Sequence, residues 1–450
     1  MTMTSTKLLM IALLAATALS GCKKREEILT GQRFDTRVPL EETLPDADGT
    51  PPAVLKEGNR SESIALGQPV SLSQWVNRGG TPTHDLPNLA FSANPRLIFA
   101  SPIGQGNDRK HRITADPIVA GGRIFTLDSY ATLTATGTNG ATAWSVDLTP
   151  PSDKVGDASG GGLAYGDGKV FAATGFGTLV ALDPTSGKTL WTQRIEGVSA
   201  ASPTVSNGLV YVITRGGSAY AVRTSDGRVA WQINGPVTGA LALGGSGAAV
   251  DGNYAVLPFG SGRLMGVLKQ SGVTAWDTIL SGQRRGRVAA IVGGLAGDPV
   301  IRGDVTFVGL ASGRLIAADT SSGDRLWTAN EGTLSTPLVV GGSVFVVSDA
   351  LELVRLDAAT GRRIWGISLP DYVKADKEKK RKEVFAHYGP ILAGGRLLVA
   401  SNDGVLRAFS PESGALVGQT EIPGGAASGP VIVGGTLYVV NQNGQLLAYR

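Results

Sequence analysis

The sequence predicts an all-β fold, an eight-bladed β-propeller with four-stranded antiparallel blades. Three observations carry this prediction. Tryptophans recur at Trp144, Trp191, Trp231, Trp276, Trp327 and Trp365, spaced 47, 40, 45, 51 and 38 residues apart, close to the length of one four-stranded blade. Each closes a similar phrase, and Gly177-Thr-Leu-Val-Ala-Leu-Asp183-Pro-Thr-Ser-Gly187-Lys-Thr-Leu-Trp191 and Gly313-Arg-Leu-Ile-Ala-Ala-Asp319-Thr-Ser-Ser-Gly323-Asp-Arg-Leu-Trp327 are near copies. The 63 glycines and 23 prolines among 450 residues, set between Val/Ile/Leu-rich runs, suit short strands and frequent turns.

The chain opens on an export signal. Met1 to Ser20 carry one charge, Lys7, followed by the apolar run Leu8 to Ala16, too short to span a bilayer as a helix. The run ends in Leu19-Ser20-Gly21-Cys22, which resembles a bacterial lipobox. That resemblance implies removal of residues 1–21 and acylation of Cys22, the single cysteine of the chain. One cysteine excludes an internal disulfide and any zinc site built on several thiolates. Lys23, where an aspartate would resemble an inner-membrane retention signal, implies anchoring at the periplasmic face of the outer membrane. Residues 22–74 show little alternation and several charged, proline-containing stretches, so they read as a largely disordered, lipidated tether with an r.m.s. span of roughly 40 Å.

The propeller is expected over 75–450. Blades open at Pro117, Leu163, Pro203, Ala249, Pro299, Pro337, Pro390 and Pro430. Each opening leads into a strand pair, as in Pro203-Thr-Val-Ser-Asn207-Gly208-Leu-Val-Tyr-Val-Ile213 and Pro430-Val-Ile-Val-Gly434-Gly435-Thr-Leu-Tyr-Val-Val440, where Asn-Gly and Gly-Gly are hairpin signals. The Asp-x-x-(Ser/Thr)-Gly phrase then supplies a turn that needs a side-chain acceptor and a positive φ, between strands alternating with period two. After Leu446-Leu-Ala-Tyr-Arg450 the chain stops one strand short. The run Arg96-Leu-Ile-Phe-Ala-Ser-Pro-Ile103 is placed to supply that outer strand and close the ring, leaving no free edge between blades.

A formal charge of +4, with Lys and Arg spread along the chain, does not describe a nucleic-acid-binding stripe. His84, His111 and His387 share no motif spacing, so neither a metal site nor a catalytic triad is signalled. Asp183, Asp319 and Asp357 sit at repeat turns, where accepting backbone hydrogen bonds suffices. The tryptophans, recurring at one position per blade, read as packing between neighbouring sheets.

The repeated Ala-x-Asp-x-x-(Ser/Thr)-Gly-x-x-x-Trp resembles the repeat of the pyrroloquinoline-quinone-type propellers, over about three quarters of the chain. Two branches share it: quinoprotein dehydrogenases, and the BamB family of outer-membrane assembly lipoproteins. The lipobox and the final blade completed from the N-terminal side resemble the second. The first holds its cofactor under a vicinal cysteine disulfide, which one cysteine cannot form. Membership of the BamB family implies a non-catalytic scaffold without cofactor or metal. It would join the β-barrel assembly complex by binding the POTRA domains of BamA, help unfolded outer-membrane proteins reach the complex, and touch the membrane only through its lipid. The lipid-anchored quinoprotein dehydrogenase, or a propeller for another envelope partner, stands as the alternative.

That family has a Leu-x-Leu-Arg loop and, some fifty residues later, an Asp-x-Asp pair at its contact surface. Leu241-Ala242-Leu243-Gly244 keeps both leucines and lacks the arginine, while Gly294-Leu295-Ala296 lacks the acidic pair. Nearby, Gln283-Arg284-Arg285-Gly286-Arg287 offers cations. Leu241, Leu243, Arg284, Arg285 and Arg287 are therefore the candidate contact residues, with ordinary strand and solvated loop as the other reading of each. Lys374 to Glu383 is a charge run of the kind found on solvated surface loops.

Overall fold

The computed structural model describes residues 58–197, 201–235, 245–280, 297–374 and 383–450. Among these, strands form eight four-stranded antiparallel sheets, with no helix. In blade 1 the strands Ile118–Ala120, Arg123–Leu127, Thr132–Gly137 and Thr142–Asp147 pair in chain order. Blades 2 to 7 repeat the order over 161–194, 204–234, 249–279, 300–329, 338–368 and 387–421. All eight openings expected from the sequence fall within, or immediately before, a first strand. First strands of successive blades adjoin, so they line a central channel, and fourth strands form the rim. Burial follows: Ile118–Ala120 is buried throughout, whereas Thr142–Asp147 alternates between exposed and half-buried.

Blade 8 takes Val431–Val433, Thr436–Val440 and Gln445–Tyr449 from the end of the chain. Its outer strand is Leu97–Pro102, antiparallel to Gln445–Tyr449 with Phe99 opposite Ala448 and Ser101 opposite Leu446. Arg96 and Arg450 exchange backbone hydrogen bonds of 2.8 and 3.0 Å at the start of this pairing.

The repeat phrase works through two coupled features. The Asp183 carboxylate accepts the amides of Thr185 and Ser186 at 3.0 and 2.8 Å and the Ser186 hydroxyl at 2.8 Å, which folds the turn. Gly187 then takes φ +72°, and the Trp144 ring of the preceding blade lies on it so closely that a Cβ would come within 2.7 Å. Trp144 Nε1 donates to the Pro184 carbonyl at 3.1 Å. Trp191 rests on Gly227 and donates to Thr224, and Trp365, fully buried, rests on Gly414 and donates to Pro411. Each tryptophan thus joins its blade to the next by apolar burial and one directed hydrogen bond.

The tether, drawn through residue 74 from the sequence, is shortened at its C-terminal end. From Asn59 onward the chain is bonded to the body. The Asn59 side chain pairs with the backbone of Gly366, Arg60 N–H donates to Ile364, and Glu62 N–H donates to Glu412. The buried Arg355 guanidinium donates to the carbonyls of Glu62 and Pro411 at 2.7 and 3.2 Å. Composition disfavoured order here, but backbone groups of blades 6 and 7 supply the partners, and composition does not register them.

Candidate binding site at the mouth of the central channel

Residues 70–91 fill the channel. Going in, Trp75 exchanges backbone hydrogen bonds with Val119 of blade 1, and the Val76 carbonyl accepts Tyr165 N–H of blade 2. A turn at Gly79 and Gly80, with φ +80° and +78°, reverses the direction. Going back, the carbonyls of Pro82 and Thr83 accept the amides of Val250 and Ile301, and Leu89 bonds Leu392 of blade 7. Trp75, Leu86 and Leu89 are buried among the inner strands. The segment is a plug: it satisfies inner-strand backbone groups on several sides of the ring at once, as buried polar groups require.

At the tip of the plug Arg78 reaches the axis. Its Nε donates to Asp298 Oδ2 at 2.6 Å, and its Nη2 donates to Asp298 Oδ1 and to the Gly245 carbonyl, the latter at 2.7 Å. Asp298 Oδ1 also accepts Gly247 N–H at 2.6 Å. Across the ring, Asp116 Oδ1 accepts Gly429 N–H at 2.6 Å. Burial opposes every charge here, and the outcomes differ by partner. For Asp298 burial is outweighed by Arg78, so its carboxyl is held below the usual range. For Asp116 burial prevails over the more distant Arg78, and its carboxyl is pushed up. Arg78 keeps its charge more firmly than a free guanidinium, because Asp298 and Asp116 outweigh its own burial.

Above this cluster lies a cavity of about 530 Å³, within the range of small-ligand sites. Trp75, Arg78 and His84 of the plug line it from one side; Asp116, Tyr388 and Ile391 line it from the ring. Burial pushes the Tyr388 hydroxyl up to about 12 and holds both His84 and His387 toward the neutral form. His84 Nδ1–H donates to the Pro299 carbonyl at 2.7 Å. His387 Nε2–H donates to the Pro370 carbonyl at 2.8 Å, leaving Nδ1 to accept the Ser401 hydroxyl at 2.5 Å. Two histidines without common motif spacing thus face one cavity, each committed to structural hydrogen bonds. Among the described residues no cluster of three or more His, Cys, Asp or Glu side chains has a metal-binding arrangement. Asp319 and Asp357, like Asp183, hold repeat turns: each accepts a backbone amide and a hydroxyl three or fewer residues on. The Ser401 hydroxyl held by His387 is fully buried and does not line the cavity, so the arrangement suits binding by shape and charge.

The sequence-derived candidates Cys22, Leu241, Leu243, Arg284, Arg285 and Arg287 lie outside the described residues, as does 375–382 of the charge run. The Arg78–Asp298 cluster was missed in the sequence. A signal existed: Asp116 and Asp298 each precede the proline that opens an inner strand, a place taken by Ser202, Thr336, Gly389 and Gly429 in other blades.

A family model described as the outer membrane protein assembly factor BamB matches residues 130–367 and 375–450. The assembly factor BamB of Yersinia pestis is 24% identical over 345 residues, covering 75% of this chain and 84% of that protein. That of Shewanella oneidensis is 24% identical over 349 residues, covering 76% and 85%. Among solved structures, BamB from Moraxella catarrhalis superposes with a TM-score of 0.65 at 16% identity, covering 79% of this chain and all of that one. The quinohemoprotein alcohol dehydrogenase of Comamonas testosteroni gives 0.62 at 14% identity, covering 84% and 80%. At these identities the structural likenesses speak for the fold alone.

Proposed function

The chain belongs to the family of the outer membrane protein assembly factor BamB, and on that footing we propose that it is a non-catalytic accessory protein of outer-membrane protein assembly. The observation that carries this reading is the family match, which runs from the turn after the second strand of blade 1 to the last residue with only 368–374 left out. In finer terms, the chain is held at the periplasmic face of the outer membrane by lipid on Cys22. It binds BamA through Leu241, Leu243, Arg284, Arg285 and Arg287, within the complex that inserts β-barrels. At about 0.8 kcal/mol per buried CH₂, one acyl chain anchors marginally and several anchor durably, so a multiply acylated Cys22 accounts for a permanent address. The propeller presents surface and performs no chemistry. The quinoprotein reading is supported by fold likeness alone, and the vicinal disulfide of that branch cannot be made from one cysteine.

The test is recovery of BamA from detergent-solubilised envelope by the tagged full-length chain, beside a Leu241→Asp, Leu243→Asp, Arg285→Glu variant. Recovery with the parent and its loss with a variant that melts like the parent is expected. Equal recovery by both moves the contact elsewhere on the ring, and no recovery by either removes BamA as the partner.

A further inference from the structure

Seven of the eight blades carry an aromatic ring in one cross-strand row. The row reads Phe125–Ala135–Trp144 in blade 1, Phe171–Ala181–Trp191 in blade 2 and Tyr211–Ala221–Trp231 in blade 3. Blade 4 has Val256–Gly266–Trp276, blade 5 Phe307–Ala317–Trp327 and blade 6 Phe345–Arg355–Trp365. Blade 8, closed by the N-terminal strand, has Tyr438–Ala448–Phe99. Within a row the two rings stand about 6 Å apart and tilted, as for Phe171 and Trp191 at 5.7 Å and 44°. Blade 7 alone has none: its row is Leu398–Ala408–Gly418.

The reason lies in the seam. A tryptophan of one blade rests on the glycine of the next blade's last turn, and blade 8 has no such turn, because its fourth strand arrives from residue 97. In place of the turn lie Phe91 to Arg96, with the Arg396 guanidinium donating to the Ser92 and Ala93 carbonyls at 2.6 and 2.9 Å. What remains is a cavity of about 320 Å³ bordered by Arg396, Leu398, Ala408 and Gly418 on the blade, and by Pro95 and Arg96 of the entering chain. An enclosed apolar cavity of about 150 Å³ holds a benzene ring; this depression is larger and open to solvent, and by volume it has room for an indole. A Cβ built on Gly418 would meet only the Ala408 methyl, at 3.6 Å. Beside the cavity, Leu416 and Val417 are 50% and 54% exposed, and among the described residues their strand, Leu416–Glu421, is paired on one side only.

We propose that this vacant tryptophan socket between blades 7 and 8 binds an aromatic side chain of an extended peptide that lies along the free edge of Leu416–Glu421. The occupant's chemistry is set by what fills the same position elsewhere in the ring. A flat apolar ring would lie against Leu398 and Ala408, with the guanidinium groups of Arg96 and Arg396 near its face, where cation–π attraction adds to burial. The free strand edge supplies backbone hydrogen bonds to an extended chain and is indifferent to its sequence, so the socket supplies the selectivity. This site is independent of the contact with BamA, and its test does not involve that protein.

The experiment uses the full chain and a fluorescently labelled extended peptide of alternating threonine and valine with one central tryptophan, beside the same peptide with alanine there. Anisotropy titrations of the parent are expected to favour the tryptophan peptide by about tenfold. Gly418→Trp, which supplies the ring in cis, is expected to melt at or above the parent and to bring the tryptophan peptide down to the alanine level. Gly418→Leu, a smaller filling, is read in the same way should the tryptophan variant not fold. Equal binding of the two peptides by the parent, or binding untouched by either filled variant, overturns the proposal.

Discussion

Arg78 and Asp298 show how a single pair can govern a large ring. Asp298 is fully buried and bonded to both Arg78 and the Gly247 amide, so Asp298→Asn leaves a guanidinium facing the axis without its principal counter-charge. Breaking one side of such a pair costs about 3–5 kcal/mol. Asp116 is the opposite case. Its carboxyl is raised, so its ionised form destabilises the fold, and Asp116→Asn keeps an acceptor for the Gly429 amide while removing a buried charge. At pH 7 thermal melting is expected to place Asp298→Asn well below the parent and Asp116→Asn level with it or above. The pH dependence separates them further. Asp298, with its folded value depressed below 3.8, contributes stability that is present above 3.8 and is lost as pH falls through the folded value, so its variant's deficit closes in acid. Asp116, with its folded value raised above 3.8, exacts a penalty that sets in as pH rises above 3.8, so its variant's gain vanishes in acid. Identical pH profiles for the two variants would sink this assignment. Both aspartates were readable in the sequence as residues preceding a strand-opening proline. Arg78 was not, because its partner lies 220 positions away and no periodicity connects them.

At the scale of elements, strands and turns were legible because their determinants are local. Alternation sets the strand, Asp-x-x-(Ser/Thr)-Gly sets the turn, and the tryptophan period counts the blades. Even the strand borrowed from residues 97–102 could be placed, since the last blade ends one strand short. The plug was not legible. Residues 70–91 lack alternation, and their order comes from inner-strand backbone groups of at least five blades, which composition cannot express. A chain starting at Asn94 keeps every strand and loses the plug, so it is expected to retain the far-ultraviolet circular dichroism of the parent. It forfeits the burial of Trp75, Leu86 and Leu89, at about 1.5–3 kcal/mol each, and leaves Asp298 without Arg78. A fall in melting temperature of roughly 10 °C or more is expected, partly reversed by adding a peptide of residues 58–91. An unchanged melting temperature would show that the plug occupies the channel without supporting it.

For the molecule as a whole, closure joins residues 97–102 to 445–449, the two ends of the folded body. Neighbouring blades support one another pairwise in a repeat array, and a ring has no terminal repeat to fray once its seam is shut. At the seam Arg96 and Arg450 are directly bonded where a hairpin turn would stand. A permuted chain that begins at Gln105 and carries residues 96–104 after Arg450, through a short Asn-Gly-containing turn, converts the borrowed strand into an ordinary fourth strand. Its hydrophobic register is retained, because Phe99 still faces Ala448 and rests on Gly140 of blade 1. Its proper reference is the chain starting at Asn94, since both lack the plug. The permuted chain is expected to be monomeric and to melt within a few degrees of that reference, because the two differ in loop-closure entropy and in little else. If it aggregates or melts far lower, the entry of the chain through Asn94 and Pro95, which border the socket, is a structural part of the seam and not an incidental connection.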